Sequence, residues 1–216
     1  MQTEEVGILA MGSHVERHGA ALPLDTDAKI ASYVAQEAAR RAGAKFLGIL
    51  KTSYELPRID TGQHQSLGEV LEELRITLKN AKKMLRIRTV VVVNGHGGNN
   101  PVREHLPILE KELGMHLAFN STIVELEGPH AATVELSMGA AIGITDESKV
   151  DEHVDFTKYP EVGFVGLREA RRLYPWMEQQ AQQVEKEGVA VDKELGAKLL
   201  EHAVGEVVND IRSLQS

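Results

Sequence analysis

A chain of 216 residues, 42% hydrophobic and 26% charged, has the size and make-up of one globular domain over residues 1–216, with enough apolar side chain for a substantial core. A formal charge of -8 and an aromatic content of 4% exclude a phosphate-tracking nucleic-acid surface and base-stacking platforms, so the expected partner is a small molecule. The chain has no cysteine for a disulfide, thiol nucleophile or thiolate metal site, no apolar stretch near the roughly 20 residues of a membrane span, and no basic start of a signal peptide, so a cytoplasmic protein is expected.

Residues 6–11 (VGILAM) form a short apolar run bounded by glycine, as expected of a strand buried on both faces of a parallel sheet. Asp25 or Thr26 is placed to cap a helix over 27–41, with apolar positions at Ile30, Val34 and Ala38 and a stop at Gly43. Residues 45–50 read as the next strand, followed by a long polar loop to Gln65. Ser66 and Glu69 make a capping box for a helix whose apolar positions recur from Val70 through Leu74 and Leu78 to Leu85. A strand over 90–93, a helix over 99–113 and a strand over 116–123 continue the alternation. Beyond Ile144 the pattern loosens into an acidic loop, and a final helix is expected over 193–214. This order predicts an α/β fold, a mainly parallel sheet with helices on both faces, whose sites lie beyond the carboxyl ends of strands.

Two segments fall at such ends. GSHVERHGAALPLDTD carries Glu16, His18 and Asp27, and NGHGGN carries His96. Hard carboxylate oxygens with borderline imidazole nitrogens suit zinc, iron(II) or manganese. A Glu-x-His pair alone fits a solvated loop equally well, and the metal reading comes from its combination with Asp27 and the glycine-flanked His96. Positions 16 and 18 diverge in an extended segment, so each is expected to serve a different ion, with Asp27 as the bridge and His96 completing one site. A third cluster, His130 and Glu135 in EGPHAATVELS, either starts a helix, where an acid is favoured anyway, or shuttles a proton near the metals. His14 is open between a supporting and a loop role, His64 is expected in solvent, and His105, His116, His153 and His202 are read as structural. The cations Lys82, Lys83, Arg86 and Arg88 sit at a helix end and complement its dipole. There is no Gly-x-Ser-x-Gly elbow, P-loop lysine or dinucleotide fingerprint.

Together, GSHVERHG, LPLDTD, NGHGGN and GPHAATVELS resemble the creatininase family of metal-dependent amidohydrolases, over Gly12 to about Gly143. Within the family, GSHVERHGAALPLDTDAKIA and ELSMGAAIGI are most similar to an archaeal branch that removes formate from a formylamino-pyrimidine ribonucleotide on the route to riboflavin and the deazaflavin coenzyme. The resemblance implies a layered α/β subunit in a homo-oligomer, often a hexamer, with two divalent metal ions. Glu16 and His96 would hold one, resembling an iron(II) site, and His18 the other, resembling a zinc or manganese site. Asp27 would bridge them, and His130 or Glu135 would pass a proton to the leaving amine. Creatininase proper has an acidic ligand where this chain has Gly98, and Thr-Ser where it has Leu136 and Ser137; both departures point away from creatinine as substrate. A cyclic amide or peptide substrate, or a non-catalytic metal module, are the alternatives. Arg17, Lys29, Arg58 and Arg103 are the cations near enough to the loops to meet a substrate phosphate.

Overall fold

The computed structural model describes residues 5–215. Among them, β1 (Val6–Met11), β2 (Lys45–Leu50), β3 (Thr89–Asn94) and β4 (His116–Asn120) form one parallel sheet in the order β2-β1-β3-β4. β1 and β3 are buried along their whole length, which is why both read as unbroken apolar runs. Their register runs without a break from Val6 beside Thr89 to Met11 beside Asn94. The chain therefore leaves both central strands at the same point on the rim. Connections from β1 and β3 diverge to opposite edges there, making it the switch point where α/β sheets form their sites.

Alternation along the strands separates two cores. Val6, Ile8, Ala10, Val91 and Val93 pack against α1 (Thr26–Ala42) and the long C-terminal α9 (Lys193–Gln215). Leu9, Met11, Val90 and Val92 pack on the other face against α2 (Leu67–Asn80) and α3 (Leu106–Leu113). The expected mainly parallel sheet with helices on both faces is thus present. The capping box of α2 forms in both directions, with the Glu69 amide donating to Ser66 Oγ at 3.3 Å and the Ser66 amide to Glu69 Oε2 at 2.9 Å. α1 stops at Gly43 in a left-handed conformation, its amide bonded to the Ala39 carbonyl.

Four details differ from the sequence reading. Neither Asp25 nor Thr26 caps α1 through its side chain, because Asp25 pairs with Lys29 at 2.8 Å and the Thr26 hydroxyl donates to the Pro23 carbonyl. The helix expected over 99–113 begins as a 3-10 turn over Gly97–His105, since Pro101 within it has no amide to donate, and becomes α-helical only at Leu106. β4 ends at Asn120, and α4 (Thr122–Glu127) takes over the rest of the expected strand. After α5 (Thr133–Ile142), the stretch read as a loop contains α6 (Val150–His153), α7 (Arg168–Leu173) and α8 (Pro175–Glu187). α8 buries Met177, Ala181 and Val184, four and three residues apart on one face. Met177 joins Ile59, Phe164 and Ala170 in a small separate core beyond the sheet. No helix of the described residues is long and apolar enough to cross a membrane.

Candidate metal centre

Each side chain at the rim is held by backbone close to it. The segment after β1 forms an antiparallel bridge at Glu16 with Gly62, and the amides of Glu16, Arg17 and Gln63 bond to Leu24, Thr61 and Val15 carbonyls. Asp27 sits in the first turn of α1, where the helix dipole favours a carboxylate. Gly12 and Gly95 both press against that turn: a Cβ on either would come within 2.8 Å of the Asp27 carbonyl oxygen. After β3, the Asn94 side chain clamps His96, accepting from its amide at 3.2 Å and donating to its carbonyl at 2.9 Å. His130 and Glu135 flank the start of α5. Between them Ala131, with φ 51, donates its amide to the Glu135 carboxylate.

The rings of three histidines are oriented in the same manner. His18 Nδ1 donates to the Glu16 carbonyl at 3.0 Å, His96 Nε2 to the Tyr54 carbonyl at 3.0 Å, and His130 Nε2 to the Arg17 carbonyl at 2.9 Å. With those protons committed, the other ring nitrogens present lone pairs to carboxylates. His18 Nε2 lies 2.8 Å from Asp27 Oδ1 and 3.5 Å from Glu135 Oε1. His96 Nδ1 lies 2.9 Å from Asp27 Oδ2 and 3.0 Å from Glu16 Oε2. Asp27 therefore offers one oxygen to each of two imidazoles. Lone pairs facing carboxylates at this range repel unless a cation, proton or metal, stands between them.

The electrostatics agree with that requirement. Burial pushes His18 and His96 down, but Asp27 and Glu135 around the first and Glu16 and Asp27 around the second outweigh it, holding both rings well above the ordinary histidine range. Burial likewise raises Glu16, Asp27 and Glu135, yet the facing rings bring all three below the usual carboxylate range. Glu16 Oε2 is fully buried and, apart from the His96 ring 3.0 Å away, has no hydrogen-bond partner, a costly state for a carboxylate oxygen that a bound cation would relieve.

The centre forms the floor of a cleft of about 450 Å3, with Leu56, Phe164 and Trp176 on its apolar walls. Glu16, His96 and His130 line the cleft, whereas His18, Asp27 and Glu135 do not; all six are buried. Three further carboxylates line it, Glu55, Glu104 and Glu127. Burial pushes Glu55 up to about 7, and burial beside Glu135 and Asp27 raises Glu127 well above the usual range.

All six residues singled out from the sequence, Glu16, His18, Asp27, His96, His130 and Glu135, meet within this one centre. His64 is not in solvent: it is half-buried, stacked on the His96 ring at 5.3 Å and within hydrogen-bond range of Ser53 and Thr61. His14 contacts the Leu50 carbonyl and lines a different cleft, together with Lys29. His153, expected on an acidic surface, is fully buried, donating to the Ala131 carbonyl at 2.7 Å and accepting the Ala21 amide. Of the suggested phosphate cations none lines the cleft; Arg17 pairs with Asp60, Arg103 lies near Glu125, and Arg58, next to the cleft residue Ile59, makes no ion pair among the described residues. Sequence reasoning missed Glu55, Glu127 and the buried Glu161, which accepts the Gly19 amide beside His18. Glu55 and Glu161 are isolated glutamates outside the motifs and Glu127 closes a short helix, so none carries a spacing signal.

Residues 1–211 match the family model described as creatininase, creatinine amidohydrolase. The 2-amino-5-formylamino-6-ribosylaminopyrimidin-4(3H)-one 5'-monophosphate deformylase of Methanothermus fervidus is 45% identical over 213 residues, covering 99% of this chain and 86% of that protein. Its namesake from Methanosphaera stadtmanae is 47% identical over 210 residues, covering 97% and 90%. Among solved structures, a creatinine amidohydrolase (creatininase) superposes with a TM-score of 0.70 at 18% identity, covering 96% of this chain and 89% of that one. A manganese creatininase does so with 0.70 at 17%, covering 97% and 91%. At such identities these structures speak to the fold.

Proposed function

Since this chain belongs to the creatininase family, we propose that it is a dinuclear hydrolase that releases formate from 2-amino-5-formylamino-6-ribosylaminopyrimidin-4(3H)-one 5'-monophosphate. The deformylases at 45% and 47% identity support the substrate, and the two-sided presentation of Asp27 carries the two-ion reading. The donor set fits the ions: the inward ring nitrogens are free to ligate, and the buried Glu16 oxygen points among them. Glu16, His96 and Asp27 Oδ2 would hold one ion, proposed as iron(II). His18 and Asp27 Oδ1 would hold the other, proposed as zinc or manganese, with Glu135 close enough to join them. Bound there, the ions would lower the pKa of water from 15.7 towards about 7 and polarise the formyl oxygen.

The remaining work belongs to the chain. Leu56, Phe164 and Trp176 exclude bulk water and give the pyrimidine ring apolar and aromatic surfaces to lie against. His130 faces the cleft with Nε2 tied to the Arg17 carbonyl, so its ring is fixed while Nδ1, 3.8 Å from Glu135 Oε2, is positioned to carry a proton to the departing amine nitrogen. Arg58, exposed and next in sequence to the cleft residue Ile59, is the proposed anchor for the 5'-phosphate. The proposed setting is a cytoplasmic homo-oligomer, proposed as a hexamer, on the route to riboflavin and the deazaflavin coenzyme. Purified protein with added iron(II) is expected to release stoichiometric formate from this nucleotide and to leave creatinine intact. Absence of formate under conditions where two ions are bound would overturn the substrate assignment.

A further inference from the structure

Glu55 has no part in the reaction as described, yet its carboxylate stands at the metal centre. We propose that Glu55 is a ligand of the ion at Glu16 and His96, delivered from the loop between β2 and α2. The inference rests on the two-ion reading and adds to it a ligand that no motif contains.

Three observations carry it. One candidate donor atom each from Glu16, Glu55 and His96 lies within 4.8 Å of the other two, and Glu55 Oε2 is 3.7 Å from His96 Nε2, the nitrogen that also bonds to the Tyr54 carbonyl. Glu16 Oε2, the carboxylate oxygen facing them, is buried and, apart from the His96 ring, has no hydrogen-bond partner. Two carboxylates and one imidazole within that range form a hard-oxygen and borderline-nitrogen set for a divalent cation, and among the described residues no lysine or arginine pairs with Glu55 to neutralise it instead. The position of Glu55 is fixed rather than incidental. The Leu56 amide donates to its Oε1 at 2.6 Å, leaving Oε2 to turn inward. On either side of the same loop, the Tyr54 amide donates to Asn99 Oδ1 at 2.9 Å and its carbonyl accepts from His96, so the loop is fastened to the turn that presents His96.

Gly98 supplies the third observation. A Cβ built there would fall 2.9 Å from Glu55 Oε1, 2.6 Å from His96 Nε2 and 2.3 Å from the Tyr54 carbonyl. No side chain fits at position 98 against the Tyr54 carbonyl and the His96 ring, and the Glu55 carboxylate lies against the space so left. The carboxylate beside His96 thus comes from the opposite wall of the cleft, and the NGHGGN turn leaves the room it needs.

Titration of the metal-free protein with cobalt(II), followed by calorimetry and by visible absorption, tests this assignment. Wild type is expected to bind two ions. In Glu55→Gln one ion should bind at least about 100-fold more weakly, beyond the span typical for groups that merely support a ligand, with a changed cobalt absorption, while the other ion is unaffected. Glu55→Asp, which keeps the charge but shortens the reach, should fall between and serves as the folded control if the glutamine variant is unstable. Equal affinities and spectra in all three proteins overturn the proposal. Weakened binding with an unchanged cobalt spectrum overturns it too, placing Glu55 behind His96. A wild-type protein that binds no ion would instead sink the two-ion reading itself.

Discussion

The two halves of the rim cluster share Asp27 and are both buried, but differ in their place relative to the cleft. The half built on Glu16 and His96 lines the cleft, whereas the half built on His18 and Glu135 does not. In the proposed two-ion reading, one carboxylate joins an ion site that lines the cleft to one that does not. A catalytic ion needs an open position, and a buried one serves better to fix the bridging group and set its charge.

The largest expected effect removes the difference altogether. Asp27→Ala takes one oxygen from each half, so both ions should be lost and turnover should fall by about 10²- to 10³-fold or more, measured by metal analysis alongside formate release. Retention of one tightly bound ion would show that the halves are independent. Next, His18→Ala and His96→Ala should each reduce metal content from two ions to one, with His96→Ala also raising KM because its half lines the cleft. Identical kinetic profiles would erase the proposed division between an open and a sealed site.

Protons offer a gentler probe. In the metal-free protein both rings are held above the unfolded histidine value of 6.5, so the stability they lend is complete below that pH and lost as pH rises through their elevated folded values. The lowered carboxylates act in the opposite sense, contributing above their unfolded values near 4 and failing below them. The metal-free Tm should therefore peak in weakly acidic solution and decline towards pH 9. The ion-loaded protein should hold its Tm at pH 9, and ion affinity should weaken as acidification restores competing protons. A flat metal-free profile would mean that the facing groups do not govern the rings. The smallest effect concerns the cleft mouth: Arg58→Ala should raise KM about tenfold with kcat little changed, and a substrate lacking its phosphate should not sense the mutation.

Much of this architecture is legible in the linear chain because it is enforced locally. VGILAM and TVVVVN are apolar throughout because both faces of their strands are covered, and Ser66 with Glu69 closes a capping box within four residues. The metal candidates could be found because strand ends deliver them and glycines surround them. What escaped depends on distant packing. Pro101 breaks the helical hydrogen-bond pattern without disturbing its apolar spacing, so the 3-10 turn was hidden. The face of Met177, Ala181 and Val184 was visible in principle, but it lies in a segment dominated by charge and glutamine. Glu55 and His64 join the centre only because Tyr54 and Asn99 bind one loop to another 45 residues away, a relation that spacing along the chain cannot express.

The two bare backbones at Gly12 and Gly95, each the first residue beyond one of two neighbouring strands, grip a single peptide unit, that of Asp27. The shared carboxylate is in effect held in a vice whose jaws are the sheet itself, so its aim is tied to the stiffest part of the molecule rather than to the loops. A methyl group on either jaw would tilt the start of α1 and misdirect one oxygen pair relative to two rings at once. Damage of that kind would surface first as ions that leave too readily, well before the surrounding fold gave way.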